Sequence, residues 1–146
     1  RSFPAGPGVG SGHWGQRFID KELSLQRLDA QLLMWDMRRG LNPSPLPPRR
    51  CVIQFRYPEQ PTQHRVWWLV VTPQDGADLC SIDPGFDVDL YVSCALRTMT
   101  EIWMGHLTTA AALRGERLQL VGDAALARDI QTWLGLSPFA SSAAAQ

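Results

Sequence analysis

Apolar and polar residues recur with two different periods along this chain, and the points where the period changes divide it into elements. Trp14, Phe18, (Ile19) and Leu23 fall at helical spacing, with Arg17, Asp20, Lys21 and Glu22 between them. A second helix is predicted over about 28–39. Asp29 lies near its start and Leu32, Leu33, Trp35 and Met37 supply its apolar weight. Arg38 and Arg39 suit a helix C-terminus, and Gly40 ends it.

From Arg50 the period becomes two. Cys51, Ile53, Phe55 and Tyr57 alternate with Val52, Gln54 and Arg56. The segment 65–72 differs, because Val66-Trp67-Trp68-Leu69-Val70-Val71 is apolar on both faces. That pattern belongs to an interior strand. Strands are also predicted over 78–82 and 87–94, the latter with Val88, Leu90, Val92 and Cys94 on one face. Pro58–Gln63, Gln74-Asp75-Gly76 and Asp83-Pro84-Gly85 read as turns.

The stretch 95–139 returns to helical spacing, with Leu96, Met99, Ile102, Trp103 and Met104 in one helix and Leu107, Ala110, Ala111 and Arg114 in the next. Gly115 follows the second as a candidate left-handed stop. Leu118 and Leu120 alternate with Arg117, Gln119 and Val121 in a strand. Asp123 is placed to cap a last helix, whose stripe is Leu126, Ile130, Trp133 and Leu134, closed by Gly135 and Pro138.

Short connections favour antiparallel neighbours. Strands grouped ahead of a helix-helix-strand-helix run predict an α+β domain, an antiparallel sheet of about five strands covered by helices. Around it the reading places a flexible linker at 1–12, a short helical N-terminal extension at 13–41 and a Pro-rich connector at 42–49. The domain itself is assigned to 50–139 and a flexible tail to 140–146. The linker assignment rests on two Pro, four Gly and two Ser among the first twelve residues. Asn42-Pro-Ser-Pro-Leu-Pro-Pro48 is proline-stiffened and is expected to separate the helical front from the main body.

Composition narrows the function. The 146 residues are 45% hydrophobic and carry no net charge. Residues 1–50 hold eight basic and four acidic side chains, and 51–146 hold six and ten. An acidic main body argues against direct grip on a phosphate backbone. Cys51, Cys80 and Cys94 sit in apolar, strand-like runs and read as buried free thiols of a reducing compartment. With no apolar run near the roughly 20 residues of a membrane span and no signal-peptide pattern, a cytoplasmic protein without membrane insertion is expected. The first residue is Arg rather than Met, which suggests a fragment of a longer protein.

Catalytic signatures are thin. His13, His64 and His106 are scattered and lack metal-pair spacing. Asp87 and Asp89 share a strand face; they could pair for acid–base work or bind a cation, and an exposed strand face is the plainer account. No nucleophile elbow or phosphate-cradling loop occurs, so no catalytic residue, metal or cofactor is assigned. What remains is an abundance of large apolar side chains: Trp67, Trp68, Trp103, Met104, Trp133 and Phe139. They are either filled core or the lining of a cavity between sheet and helices that accepts an apolar ligand.

Leu96-Arg97-Thr98, Trp103-Met104-Gly105-His106-Leu107, Ala110-Ala111-Ala112-Leu113-Arg114-Gly115 and Leu118-Gln119-Leu120-Val121-Gly122-Asp123, preceded by Val88-Asp89-Leu90, resemble the sterol-carrier-protein-2-like (SCP2-like) domain family over residues 46–139. His13-Trp14-Gly15-Gln16-Arg17, Leu32 to Arg39, Pro84-Gly85-Phe86 and Trp133 to Ser137 are similar to a narrower group. In that group an HxlR-type winged-helix DNA-binding domain precedes an SCP2-like domain in bacterial regulators. The resemblance implies a hydrophobic tunnel between sheet and helices that holds a lipid or other apolar molecule. It implies DNA contact only through an N-terminal domain outside this chain, and a homodimer formed through the 13–39 helices. Pocket residues carried over are Phe55, Trp68, Leu90, Trp103, Leu118, Leu120, Ile130 and Trp133. The expected function is therefore a non-catalytic apolar-ligand sensor of a bacterial transcription regulator. The alternatives are a ligand-free dimerisation or interaction domain, or an accessory domain of an acyl-handling enzyme.

Overall fold

The computed structural model describes residues 29–137. The expected 13–23 helix, the 1–12 linker, Phe139 and the 140–146 tail lie outside the described residues. The elements are α1 (Ala30–Gly40), β1 (Cys51–Arg56), a single turn α2 (Thr62–Arg65), β2 (Val66–Thr72), β3 (Gly76–Cys80) and β4 (Leu90–Cys94). They continue with α3 (Leu96–Trp103), α4 (Thr109–Arg114), β5 (Leu118–Gly122), α5 (Ala124–Arg128) and α6 (Ile130–Leu134). The five strands form one sheet in the order β3-β2-β1-β4-β5, so the expected α+β fold is found.

One expected pairing is corrected. The turn at Asp83-Pro84-Gly85 was expected to join antiparallel neighbours, yet β4 lies on the far side of β1 and parallel to it, with Ile53 opposite Leu90 and Phe55 opposite Val92. The other three pairings are antiparallel. Residues 81–89 carry the chain from one edge past β2 and β1. Asp89 fixes the arrival: its backbone N–H donates to Val52 O at 2.8 Å, and its Oδ2 accepts the Val52 N–H at 2.8 Å. Arg49 then bridges Asp89 and Asp123 at 3.3 and 3.5 Å. Asp89 is thus a structural staple, while Asp87 is exposed. At the same corner Gly122, with φ +133, lies so close that a Cβ would meet Asp89 O at 2.3 Å. Only glycine fits such a contact.

The helices cover one face of the sheet. In α1 the buried residues are Ala30, Leu33, Met34 and Met37, an i, i+3, i+4, i+7 stripe. Leu32 and Trp35, counted above as apolar weight, face outward with 65% and 42% exposure. Asp29 caps the helix, accepting the Leu32 N–H. Arg38 ties it to β3 by donating to Ala77 O at 2.9 Å. Leu41 and Leu46 pack on the same core. The buried residues of α1 and those two leucines thus share one apolar cluster with the inner face of the sheet.

Two helix ends also differ from expectation. Gly115 is the C-cap of α4 with φ −86, and Glu116 takes the left-handed position at φ 58. The helix ends at Arg114 as expected, and the left-handed position falls one residue later than its glycine. Arg117 N then donates to Ala112 O and Glu116 N to Leu113 O, the paired bonds of a Schellman closure. The last predicted helix is divided at Asp129 into α5 and α6. At the break the Trp133 indole N–H donates to Leu126 O at 2.8 Å, which fixes the ring inside the core.

Candidate functional site: the apolar interior between sheet and helices

The inner face of the sheet follows from the strand registers. Phe55 lies opposite Trp67 on one side and Val92 on the other, and Ile53 lies between Leu69 and Leu90. Val92 faces Leu120 and Cys94 faces Leu118. Over this surface sit Met34 and Met37 of α1, Met99, Ile102 and Trp103 of α3, Leu126 of α5, and Ile130, Trp133 and Leu134 of α6, all buried in one cluster. Seven of the eight candidate residues meet here: Phe55, Leu90, Trp103, Leu118, Ile130 and Trp133 are buried in it, and the half-buried Leu120 packs against it.

Trp68 does not join them. Antiparallel pairing sets it opposite Gln54, while Trp67 is opposite Phe55. Trp68 therefore lies on the outer face, clustered with Val52 and Val70 and flanked by Val66, Cys80 and Val88. The physical reason is the doubly apolar β2, whose sequence could not say which tryptophan faces the helices.

Trp103 also forms a clasp that joins three helix ends. A Cβ on Gly40 would meet its ring at 2.6 Å, and one on Gly135 (φ +76) would meet Gly40 O at 2.8 Å. Asn42 N donates to Trp133 O, and Ser137 N to Trp103 O, both at 2.8 Å. The C-termini of α1, α3 and α6 thus converge on two glycines and two candidate tryptophans. Sequence reading treated Gly40 and Gly135 only as helix stops.

The interior carries few polar groups. Thr100 Oγ1 donates to Leu96 O at 2.9 Å. Burial first, and then the Glu59 carboxylate, push the Cys94 thiol up to about 12; a backbone hydrogen bond from Met99 and the charge of Arg117 act the other way. Cys51 is raised by burial against the pull of Arg49. Both thiols are therefore protonated at neutral pH. Tyr57, fully buried, donates from Oη to Met34 Sδ at 3.1 Å. It continues the inner alternation of Cys51, Ile53 and Phe55, and that continuation is the signal by which it could have joined the candidates. Among the described residues no group of three or more His, Cys, Asp or Glu side chains is placed to hold a metal ion. No described helix is long and apolar enough to cross a membrane.

No protein-family profile matches the sequence, and no curated protein matches it. Solved structures do resemble the fold. A portion of the stereoselective inverting sec-alkylsulfatase Pisa1 from Pseudomonas sp. aligns with a TM-score of 0.52 at 14% identity. The match covers 69% of this chain and 15% of the sulfatase, so this chain spans only a small part of that protein's length and shares the fold of that part. Sterol Carrier Protein 2 Like 2 from Aedes Aegypti aligns with a TM-score of 0.49 at 23% identity, over 72% of this chain and 95% of that one. The solution structure of palmitated SCP2L2 from Aedes aegypti aligns at 0.45 and 20% identity, over 83% and 94% of the two chains.

Proposed function

We propose that the interior between the sheet and α1, α3 and α6 receives an apolar small molecule, lipid-like or sterol-like, and that the domain is the non-catalytic sensor of a bacterial transcription regulator. The observation that carries this reading is the convergence of Phe55, Leu90, Trp103, Leu118, Ile130 and Trp133 in one apolar interior. The regulator assignment rests on the sequence likeness to HxlR-type proteins. In it, DNA is contacted by a winged-helix domain N-terminal to this chain, and a homodimer forms through the 13–39 helices, with Leu32 and Trp35 as its exposed apolar contacts.

The clasp supplies a route for the signal. A ligand that moves Trp103 or Trp133 also moves the C-terminus of α1 through Gly40. Because α1 leads back towards the N-terminal part of the chain, differential affinity for two positions of α1 would be transmitted.

Native mass spectrometry of the purified protein, followed by extraction of any retained molecule, tests the reading. A retained apolar species supports it. A clean apo mass, with no thermal shift across fatty acids, sterols and hydrophobic drugs, overturns the sensor. That result would favour a ligand-free interaction domain, a reading that the outward-facing Leu32 and Trp35 also serve.

A further inference from the structure

Tyr57 is a hydrogen-bond donor placed where the protein offers it only sulfur. Its backbone is held firmly: the N–H donates to Arg65 O at 2.7 Å, and the carbonyl accepts from Gln60 N at 3.0 Å. The ring is therefore aimed by β1 and the turn that follows, and the side chain has 0% exposure. Its hydroxyl donates to Met34 Sδ at 3.1 Å. A thioether is a weak acceptor, so this buried donor forgoes most of what a bond to oxygen would contribute.

The surroundings define what could replace the sulfur. Desolvation above all, and then Cys94 and Glu59, hold the phenol's pKa well above its ordinary value, so it remains a neutral donor throughout the physiological range. Cys94 is likewise a neutral thiol. The carboxylate on this side, Glu59, accepts the Leu96 N–H at 2.8 Å. The guanidinium whose charge reaches Cys94 is that of Arg117, already engaged by Glu101 and Thr98. An ionised carboxylate brought here would meet burial and a like charge, and its penalty would go uncompensated. The acceptor being displaced can give way, because methionine is unbranched and adaptable, and Met34, Met37 and Met99 all lie in this core.

We infer that Tyr57 is the polar anchor of the interior: when Met34 swings aside, the phenol donates to one neutral carbonyl oxygen of an otherwise apolar ligand. The ligand class is then an ester, ketone or amide with a hydrocarbon body, rather than a free fatty-acid anion. This inference rests on the apolar-ligand reading and adds the specificity within it.

The test is displacement of Nile red from the full chain by methyl laurate, dodecane and laurate, in wild type and in Tyr57→Phe. Wild type should bind the ester about tenfold more tightly than the alkane, the value of one good neutral hydrogen bond, and should bind laurate more weakly than the ester. Tyr57→Phe should bring the ester down to the alkane and leave the alkane unchanged. An ester preference that survives in Tyr57→Phe, or laurate outcompeting the ester in wild type, overturns the anchor while leaving the apolar-ligand reading intact. Displacement by none of the three removes that reading and the anchor with it. If Tyr57→Phe fails to fold, Met34→Leu decides. With no sulfur for the phenol to return to, ester binding should tighten severalfold, and unchanged or weaker binding overturns the inference.

Discussion

The two faces of the sheet use nearly the same residue types and come to different ends. On the inner face Phe55, Trp67, Leu69, Leu90 and Val92 form a continuous apolar surface, roofed by helices from both ends of the described chain. On the outer face a small cluster of Val52, Trp68 and Val70 is flanked by Val66, Cys80 and Val88, and beyond it Tyr91 and Val121 stand exposed beside each other across β4 and β5. Hydrophobicity along a strand therefore does not identify a core face. What identifies it is the amphipathic helices available to cover it, and among the described residues those stripes pack on one side. Among the described residues the outer patch has no such roof.

The largest effect should come from removing the ring that both roofs the interior and closes the α5–α6 break. Trp133→Ala deletes a fully buried indole and leaves Leu126 O without its 2.8 Å donor. It should cost about 4 kcal/mol of unfolding free energy, measured by urea denaturation. Trp68→Ala, on the other face, removes a ring with 9% exposure from the three-residue buried cluster and should cost about half as much. The pair also separates site from scaffold. Affinity for an apolar probe should fall in the milder Trp133→Phe and stay unchanged in Trp68→Ala. Equal losses in both would remove the distinction between the faces.

Much of this arrangement was legible in the chain. The resemblance to SCP2-like domains pointed to the eight candidates, and the seven now found together lie on β1, β4, β5, α3 and α6, elements whose buried faces are written in their period. Three things were not. The face of Trp68 was hidden by a strand apolar on both sides. The parallel β1–β4 pairing was hidden because it depends on Asp89 reaching Val52 across 37 residues of sequence, and no local pattern encodes that. The depth at which α1 docks was hidden because it depends on residues distant in sequence: Met34 and Met37 are as buried as any strand residue.

The thiols offer a milder contrast. Cys94 on the inner face is raised from 9.0 to about 12, and Cys80, half-buried beside Trp68, is raised by desolvation and by Asp78. The folded state thus holds the Cys94 proton more tightly than the unfolded chain. Stability attributable to that thiol is complete below pH 9.0 and is lost as pH rises towards about 12. Thermal melts of wild type and Cys94→Ala across that range should converge as pH increases, because the variant has no such proton to lose. Alkylation at pH 8 should label Cys80 before Cys94; the reverse order would place the more accessible thiol on the wrong face.

The smallest expected effect is the sharpest check on the outer face. Val121 is 67% exposed in the edge strand β5, so Val121→Thr keeps the β-branched shape the strand favours and exchanges one methyl for a hydroxyl that water can reach. Its unfolding free energy should change by less than about 0.5 kcal/mol, the usual range for a surface site. The same exchange at buried Val92, whose side chain lies between Phe55 and Leu120, would strand a hydroxyl in an apolar interior and should cost about 2 kcal/mol. A cost above about 1 kcal/mol at Val121 would mean that something covers this face in solution. Repeating the melt over a range of protein concentrations would then identify the cover. A second copy makes the loss concentration-dependent, and a segment of the same chain does not.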